Sequence, residues 1–321
     1  MKRQFVEARR SLACLGLLLP LSLLTGSAPP ARAAVWSLSG DLNAHDPAIY
    51  KEGSTWWIAR TWAAGIGMEW SSDGHAWNSG LPIFSSGLSW WHQYNGNTAW
   101  VWAPSLVNYN GHALCYYAVS TFGSKNSAIG LATATSIATG NWTDQGAILT
   151  SSSSSSFNAI DPCFALDASG NPWLSYGSWS DGIHVVRLST SNFKPTGSNT
   201  RIAQNSAGIE NSQIVYNGGF YYLFASVGTC CNGGSSTYHI VYGRSSSITG
   251  PYLDKNGVNM LNNGGTTLDA GSSRFKAPGG ESVYKNGSSW VLARHELDSQ
   301  NNYATVLFIN DLFWVNGWPS Y

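Results

Sequence analysis

Three acids in this chain stand at places of the same kind. His45-Asp46-Pro47, Ile160-Asp161-Pro162 and Ile209-Glu210-Asn211 each come just before a strand–turn–strand run. So do Trp102-Ala103-Pro104 and Gly279-Gly280-Glu281, whose middle residue is not acidic. One Asp before Pro commonly does no more than start a turn. Three carboxylates at matching points of a repeat are different, because a fold that gathers those points gathers the acids. Clustered carboxylates suit hydrolysis of a glycosidic bond. Like-charged neighbours raise the pKa of one acid, which protonates the leaving oxygen, while a second deprotonates water. Trp90, Trp91, Trp100 and Trp102 precede the second run and Trp179 follows the third. Their flat apolar faces can cover the C–H face of a sugar ring. Trp56, Trp57, Trp173 and Trp290 lie inside the repeated runs and are assigned to packing.

The elements that position these acids repeat five times: Ile49–Ala59, Val107–Ala118, Ala165–Tyr176, Ile214–Ala225 and Val283–Ala293. Each is an apolar strand, a Gly- or Asn-containing turn and an aromatic-rich strand, the signature of a hairpin. Further strand-like runs follow, and Trp77, Trp142, Tyr252 and Trp318 close several units. A unit of about 55–60 residues accommodates four short strands and their loops, and tandem repetition of one hairpin predicts an all-β, five-bladed β-propeller. In a propeller the innermost strands start at the central channel, so Asp46, Asp161 and Glu210 are expected to face one cavity. The serine run Ser151–Ser156 is expected to be a mobile loop.

Residues 1–33 read as a signal peptide: a basic start (Lys2, Arg3, Arg9, Arg10), an apolar stretch from Leu12 to Leu24 and a small-x-small site at Ala31–Ala33. Residues 34–321 form the single expected domain, secreted and without a membrane span. Removing the leader takes away five of 17 basic and one of 17 acidic residues, leaving 12 against 16, net −4. No basic stripe tracks a phosphate backbone, so nucleic acid is not an expected partner. Only 11% of the chain is charged, while turn formers and aromatics abound, as short strands and tight turns require. Cys115, Cys163, Cys230 and Cys231 remain after the leader; their spacing fits no zinc site. Cys230 and Cys231 can bridge each other or pair elsewhere.

The chain resembles glycoside hydrolase family 43, and within it the arabinanases, through nearly all of residues 34–321. The matching stretches are HDP (His45–Pro47), WAP (Trp102–Pro104), STFGSKNSAIGLATA (Ser120–Ala134), NAIDP (Asn158–Pro162), the run from Cys230 to Gly257, and GGTTL (Gly264–Leu268). The resemblance implies Asp46 as general base, Glu210 as general acid, and Asp161 as the residue that tunes and orients Glu210. It implies sugar contacts from Trp102, Gly123, Asn158, Ala159, Ile160, Trp179 and Ser180. Cys230-Cys231 also matches the family. Three departures stand out. The usual Glu-Ala-Pro is Glu210-Asn211-Ser212, WAPD has become Trp102-Ala103-Pro104-Ser105, and Gly-Pro-Gly-His-Asn reads Ala277-Pro278-Gly279-Gly280-Glu281. In many members that His holds a calcium ion on the propeller axis. Gly280 has no side chain to do so, and Glu281 is the neighbouring group that could take a cation. The expectation is therefore no required cofactor and no tightly bound metal.

The function so implied is endo-acting hydrolysis of α-1,5-L-arabinofuranosidic bonds in arabinan or arabino-oligosaccharides, with inversion, by a monomer. The alternatives are an exo-acting α-L-arabinofuranosidase or β-xylosidase on the same scaffold, and a carbohydrate-binding propeller without catalysis.

Overall fold

In the computed structural model the described residues are Met1 and 35–321; the leader expected over residues 1–33 lies outside the continuous described stretch. Five antiparallel sheets follow one another along the chain. Their first two strands are Ala48–Glu52 with Thr55–Arg60, Trp102–Tyr109 with His112–Val119, Cys163–Leu166 with Pro172–Tyr176, Ile209–Asn217 with Phe220–Val227, and Phe275–Asn286 with Ser289–Asp298. These five hairpins contain the five sequence repeats.

The first strand of each sheet touches the first strand of the next, and the fifth touches the first, so the inner strands close a ring. The fold is a five-bladed β-propeller. The segment after Val35 seals the ring: Trp36 N donates to Ile309 O (2.9 Å), and Leu307 N to Leu42 O (2.7 Å), which ties it to the third strand of blade five. Ser39–Gly40 then runs parallel to the outermost strand of blade one.

Each blade packs a neighbour on both faces, which explains why the second strands are apolar nearly throughout. In blade two, Cys115, Tyr117 and Val119 point into the core shared with blade one. Leu114 and Tyr116, offset by one residue, point into the core shared with blade three. The two-residue period of a strand thus feeds two cores. The remaining cores lie between blades three and four, four and five, and five and one.

A bulge recurs where each inner strand enters from the axis. Three residues oppose two between Trp102 and Ser105, Glu210 and Gln213, and Gly279 and Ser282. In blades one and three, Thr61 N reaches His45 O and Gly177 N reaches Ile160 O around the same kink. The residue at the kink has positive φ in all five: Asp46 (49°), Ala103 (38°), Asp161 (55°), Asn211 (52°) and Gly280 (59°). Only one is glycine, and left-handed backbone costs other residues roughly 1 kcal/mol or more. Four repetitions of that cost, with Gly280 at the fifth place, mark the kink as a device that re-aims side chains at the axis.

This register corrects the alignment of repeats read from sequence. Asp46 and Asp161 are equivalent, but their counterpart in blade four is Asn211, and Glu210 is one residue earlier. Pro follows the kink in blades one to three, whereas blade four has Ser212. Without that marker, the acid itself set the alignment.

The serine run is a loop from Ser152 on, and hydrogen bonds tie it to its surroundings. Ser151 ends a strand, Thr143–Ser151, and its buried hydroxyl donates to Lys125 O (2.7 Å) and accepts from Ala159 N (2.9 Å). Lys125 Nζ holds Ser155 O at 2.6 Å. The run anchors a loop of the cleft.

Candidate active site

Two cavities meet on the axis. The front one, about 450 Å³, is lined by Asp46, Asp161 and Glu210 together with Trp100, Trp102 and Trp179. The rear one, about 380 Å³, is lined by the inner strands from Pro47, Pro104, Pro162, Ser212 and Glu281 onward. Asp46 and Asn211 line both.

Asp46 is gripped from three blades. Its Oδ2 accepts from Thr61 Oγ1 (2.7 Å), its Oδ1 accepts from Asn211 Nδ2 (3.0 Å), and its N–H donates to His295 Nδ1 (3.2 Å). Thr61 is itself held, accepting from Ala103 N at 2.8 Å. His45 stacks on His295 with ring centres 4.1 Å apart. Burial and the neighbouring His45 push the His295 pKa well below the ordinary imidazole range, so His295 is neutral and its Nδ1 lone pair is free to accept.

Glu210 takes two hydroxyl donors, Ser178 Oγ on Oε2 (2.6 Å) and Tyr238 OH on Oε1 (2.9 Å). Burial raises its pKa; those two bonds pull it down and the Asp46 charge pushes it up again. Asp161 is 8% exposed and accepts from Asn211 N (3.2 Å). Burial first, then the charges on Glu210 and Asp46, raise it well above the carboxylate range. Carboxylates sharing so small a space keep a proton between them, and their titrations belong to the set. Tyr238 is held protonated by burial, which keeps its hydroxyl a donor.

The other residues singled out in the sequence fall into two groups. Trp102, Gly123, Asn158, Ile160, Trp179 and Ser180 line the front cavity; Ala159 is not among its lining residues. Ala159 is fully buried in the core between blades two and three, because its neighbour Asn158 turns toward the cleft. Asn158 accepts from Ser127 Oγ (2.7 Å) and donates to Ser124 O (3.2 Å), fixing the loop that carries Gly123. Trp179 is 46% exposed, seated where Gly208 has no side chain to collide with its ring.

Sequence reasoning missed Thr61, Ser178, Tyr238, His295 and Phe122, an 83%-exposed ring of the cleft. A signal existed for two of them. Thr61, Ala118, Gly177, Ser226 and His295 occupy matching places on the second strands, opposite the residue before each kink. Applying the repeat to the second strand as well as the first picks out Thr61 and His295. Ser178 and Tyr238 sit on connections, beyond the reach of that pattern.

Cys230 and Cys231 bridge each other, and Cys115 and Cys163 are free and buried. The bridge lines the front cavity, with Cys231 Sγ 3.6 Å from His45 Nε2.

Position 280 does not fit a histidine that would hold an axial ion. A Cβ on Gly280 would collide with Asp46 Oδ1 and stand 2.7 Å from His295 Nδ1, so the space a ligand side chain needs is filled. Among the described residues, ligand atoms of His45, Asp46 and His295 lie within 4.8 Å of one another. Yet His295 Nδ1 already accepts the Asp46 N–H. The other such group, His45 with Cys230 and Cys231, has no thiolate, because both sulfurs are in the bridge.

An exposed-aromatic cleft over carboxylates of unequal pKa can protonate a leaving group and activate water on one substrate. The profile described as Glycosyl hydrolases family 43 matches residues 40–319. The chain belongs to that family. The extracellular endo-α-(1→5)-L-arabinanase 1 of Bacillus subtilis is 47% identical over 310 residues, 94% of this chain and 95% of its own. Among solved structures, the family 43 endo-arabinanase of Bacillus licheniformis has a TM-score of 0.85 at 47% identity, covering 89% of this chain and 100% of its own. The Cellvibrio cellulosa α-L-arabinanase complexed with arabinohexaose has a TM-score of 0.84 at 32% identity, covering 88% and 96%. No described helix is long and apolar enough to cross a membrane.

Proposed function

We propose that this family 43 propeller is a secreted, endo-acting α-1,5-L-arabinanase that hydrolyses arabinan and arabino-oligosaccharides with inversion. The observation that carries the reading is the 47% identity, over 94% of the chain, to a protein named as an extracellular endo-arabinanase. The geometry supplies a mechanism. Asp46 takes a proton from water as that water's oxygen attacks the anomeric carbon. The glycosidic C–O bond breaks, and Glu210 gives its proton to the departing oxygen. Asp161, whose pKa is raised by burial first and then by the charges on Glu210 and Asp46, shares the proton of the acid set with Glu210 and orients it. Trp100, Trp102, Phe122 and Trp179 offer apolar faces to the sugars on either side of the cut.

Residues 1–33 are proposed as a cleaved leader and residues 34–321 as the catalytic domain. The active unit is proposed to be a monomer. The filled space at Gly280 supports catalysis without a histidine-held ion.

The test is the product profile from linear arabinan over time. Mixed oligosaccharides with an early fall in viscosity are expected. Arabinose alone, released while the polymer stays long, would replace this reading with an exo-acting one, and no reducing sugar at all would replace it with a binding propeller.

A further inference from the structure

We propose that Asn211 is a positioning residue: its side-chain amide sets the plane of the Asp46 carboxylate from the propeller axis. This rests on the reading of Asp46 as the base. Asp46 has one hydroxyl donor on Oδ2, Thr61 at 2.7 Å, and one amide donor on Oδ1, Asn211 at 3.0 Å. His45 Nε2 and His295 Nδ1 stand 3.6 Å from its oxygens, beyond hydrogen-bond range. One donor on each oxygen fixes the carboxylate against rotation and leaves further lone pairs for water. Without the Asn211 amide, Oδ1 loses its only hydrogen-bonding side chain among the described residues.

The backbone makes this placement unusually well determined. Asn211 is the kink residue of blade four, at φ 52°, a conformation that Asn tolerates better than most residues. Its own N–H is committed to Asp161 Oδ2 at 3.2 Å. One residue therefore holds Asp46 by its side chain and Asp161 by its backbone, and these two functions separate cleanly under mutation. Asn211 and Asp46 are also the two residues that line both axial cavities. The amide thus meets the base where the two cavities join. The ionisable groups around the pair are His45, His295, Asp161, Glu210 and, on the rear side, Glu281.

The test compares Asn211→Gly, Asn211→Asp and Asp46→Asn on linear arabino-oligosaccharides. Gly keeps the left-handed backbone and the N–H to Asp161 and removes only the amide. It should lower kcat by about 10–100-fold, the scale expected when a reacting group is misplaced by about 1 Å, with KM within about twofold and an unchanged melting temperature. Asp keeps the shape but puts a carboxylate against Asp46 at neutral pH. It should lose more than Gly at pH 7 and recover relative to Gly as pH falls and its carboxyl becomes a donor. A Gly variant with wild-type kcat, or with its loss in KM alone, overturns the inference. So does an Asp variant whose pH profile parallels that of Gly. If Asp46→Asn is active, the base assignment fails first; if it is inactive while Asn211→Gly is fully active, only this inference fails.

Discussion

Glu281 should make this protein's stability depend on pH in a way that one substitution removes. Its side chain is 3% exposed. Oε2 accepts from Ser226 Oγ at 2.6 Å, and Oε1 is buried with no hydrogen-bond partner. Burial, and to a smaller degree the Asp46 charge, push its pKa from 4.5 to about 8. Between those values the unfolded chain has released the proton and the folded one has kept it. Stability therefore falls as pH rises from about 4.5 to about 8, and is flat with respect to this group outside that window. At roughly 1.4 kcal/mol per unit, the ceiling is ~5 kcal/mol. The effective dielectric of real protein interiors, higher than that of a dry one, reduces that, and about 2 kcal/mol is the expected loss by pH 8. Glu281→Gln keeps an acceptor for Ser226 and has nothing to titrate. Its melting temperature relative to wild type should rise by about 4–8 °C between pH 5 and pH 8. Glu69 and Glu296, raised to about 8 and about 7, titrate in both proteins and cancel in the difference. Paired thermal melts from pH 5 to 9 measure it. A difference independent of pH would refute the reasoning, because Glu281 would then ionise in the folded state as it does in water.

The catalytic assignments give three further expectations. Glu210→Gln should lower turnover of arabinan by about 10²–10⁴-fold yet cost an aryl arabinoside far less, since a phenolate leaves without protonation; equal losses would remove Glu210 as the acid. Proton NMR of the first product should show the anomer opposite to the substrate's, and appearance of the starting anomer would exclude single displacement. Dialysis against a chelator should leave both activity and melting temperature unchanged; a large loss restored by calcium would show that an ion is held by groups other than a side chain at position 280.

What the sequence disclosed, and what it hid, follows from how a propeller is built. The hairpins were legible because each second strand serves two cores, so Leu114 to Val119 reads as a continuous apolar run bounded by turns. The convergence of acids was legible because repeats of one element must share an axis. The register of blade four was not, because chemical likeness of Glu210 to Asp46 and Asp161 outweighed the backbone clue, a residue able to sit at positive φ. Asn211 is such a residue, and its place was visible only as a departure from Glu-Ala-Pro. Groups that hold the acids without being acids were the hardest. Ser178 and Tyr238 come from connections between strands, where no periodicity constrains them, and the vicinal bridge was one of several pairings that composition allowed.

The one-residue offset of Glu210 has a chemical consequence. The five kink residues, Asp46, Ala103, Asp161, Asn211 and Gly280, form one ring around the axis. Those before them, His45, Trp102, Ile160, Glu210 and Gly279, form another, and all but Gly279 line only the front cavity. Asp46 belongs to the deeper ring, which borders both cavities, and Glu210 to the ring that faces only the cleft. Blades one and four are not neighbours, so the two groups approach from different directions as well as from different depths. Single displacement needs that separation, with a base on one side of the sugar, an acid on the other and room for water between. Had the acid occupied the kink of blade four, it would have stood in the same ring as Asp46 and Asp161, with three like charges at one level. The fold avoids this by giving that place to Asn211, an uncharged donor, and to Gly280 in blade five, whose missing side chain leaves Asp46 its space. Two acids, one amide and two small residues in a single ring thus limit the number of carboxyl groups that must share one level.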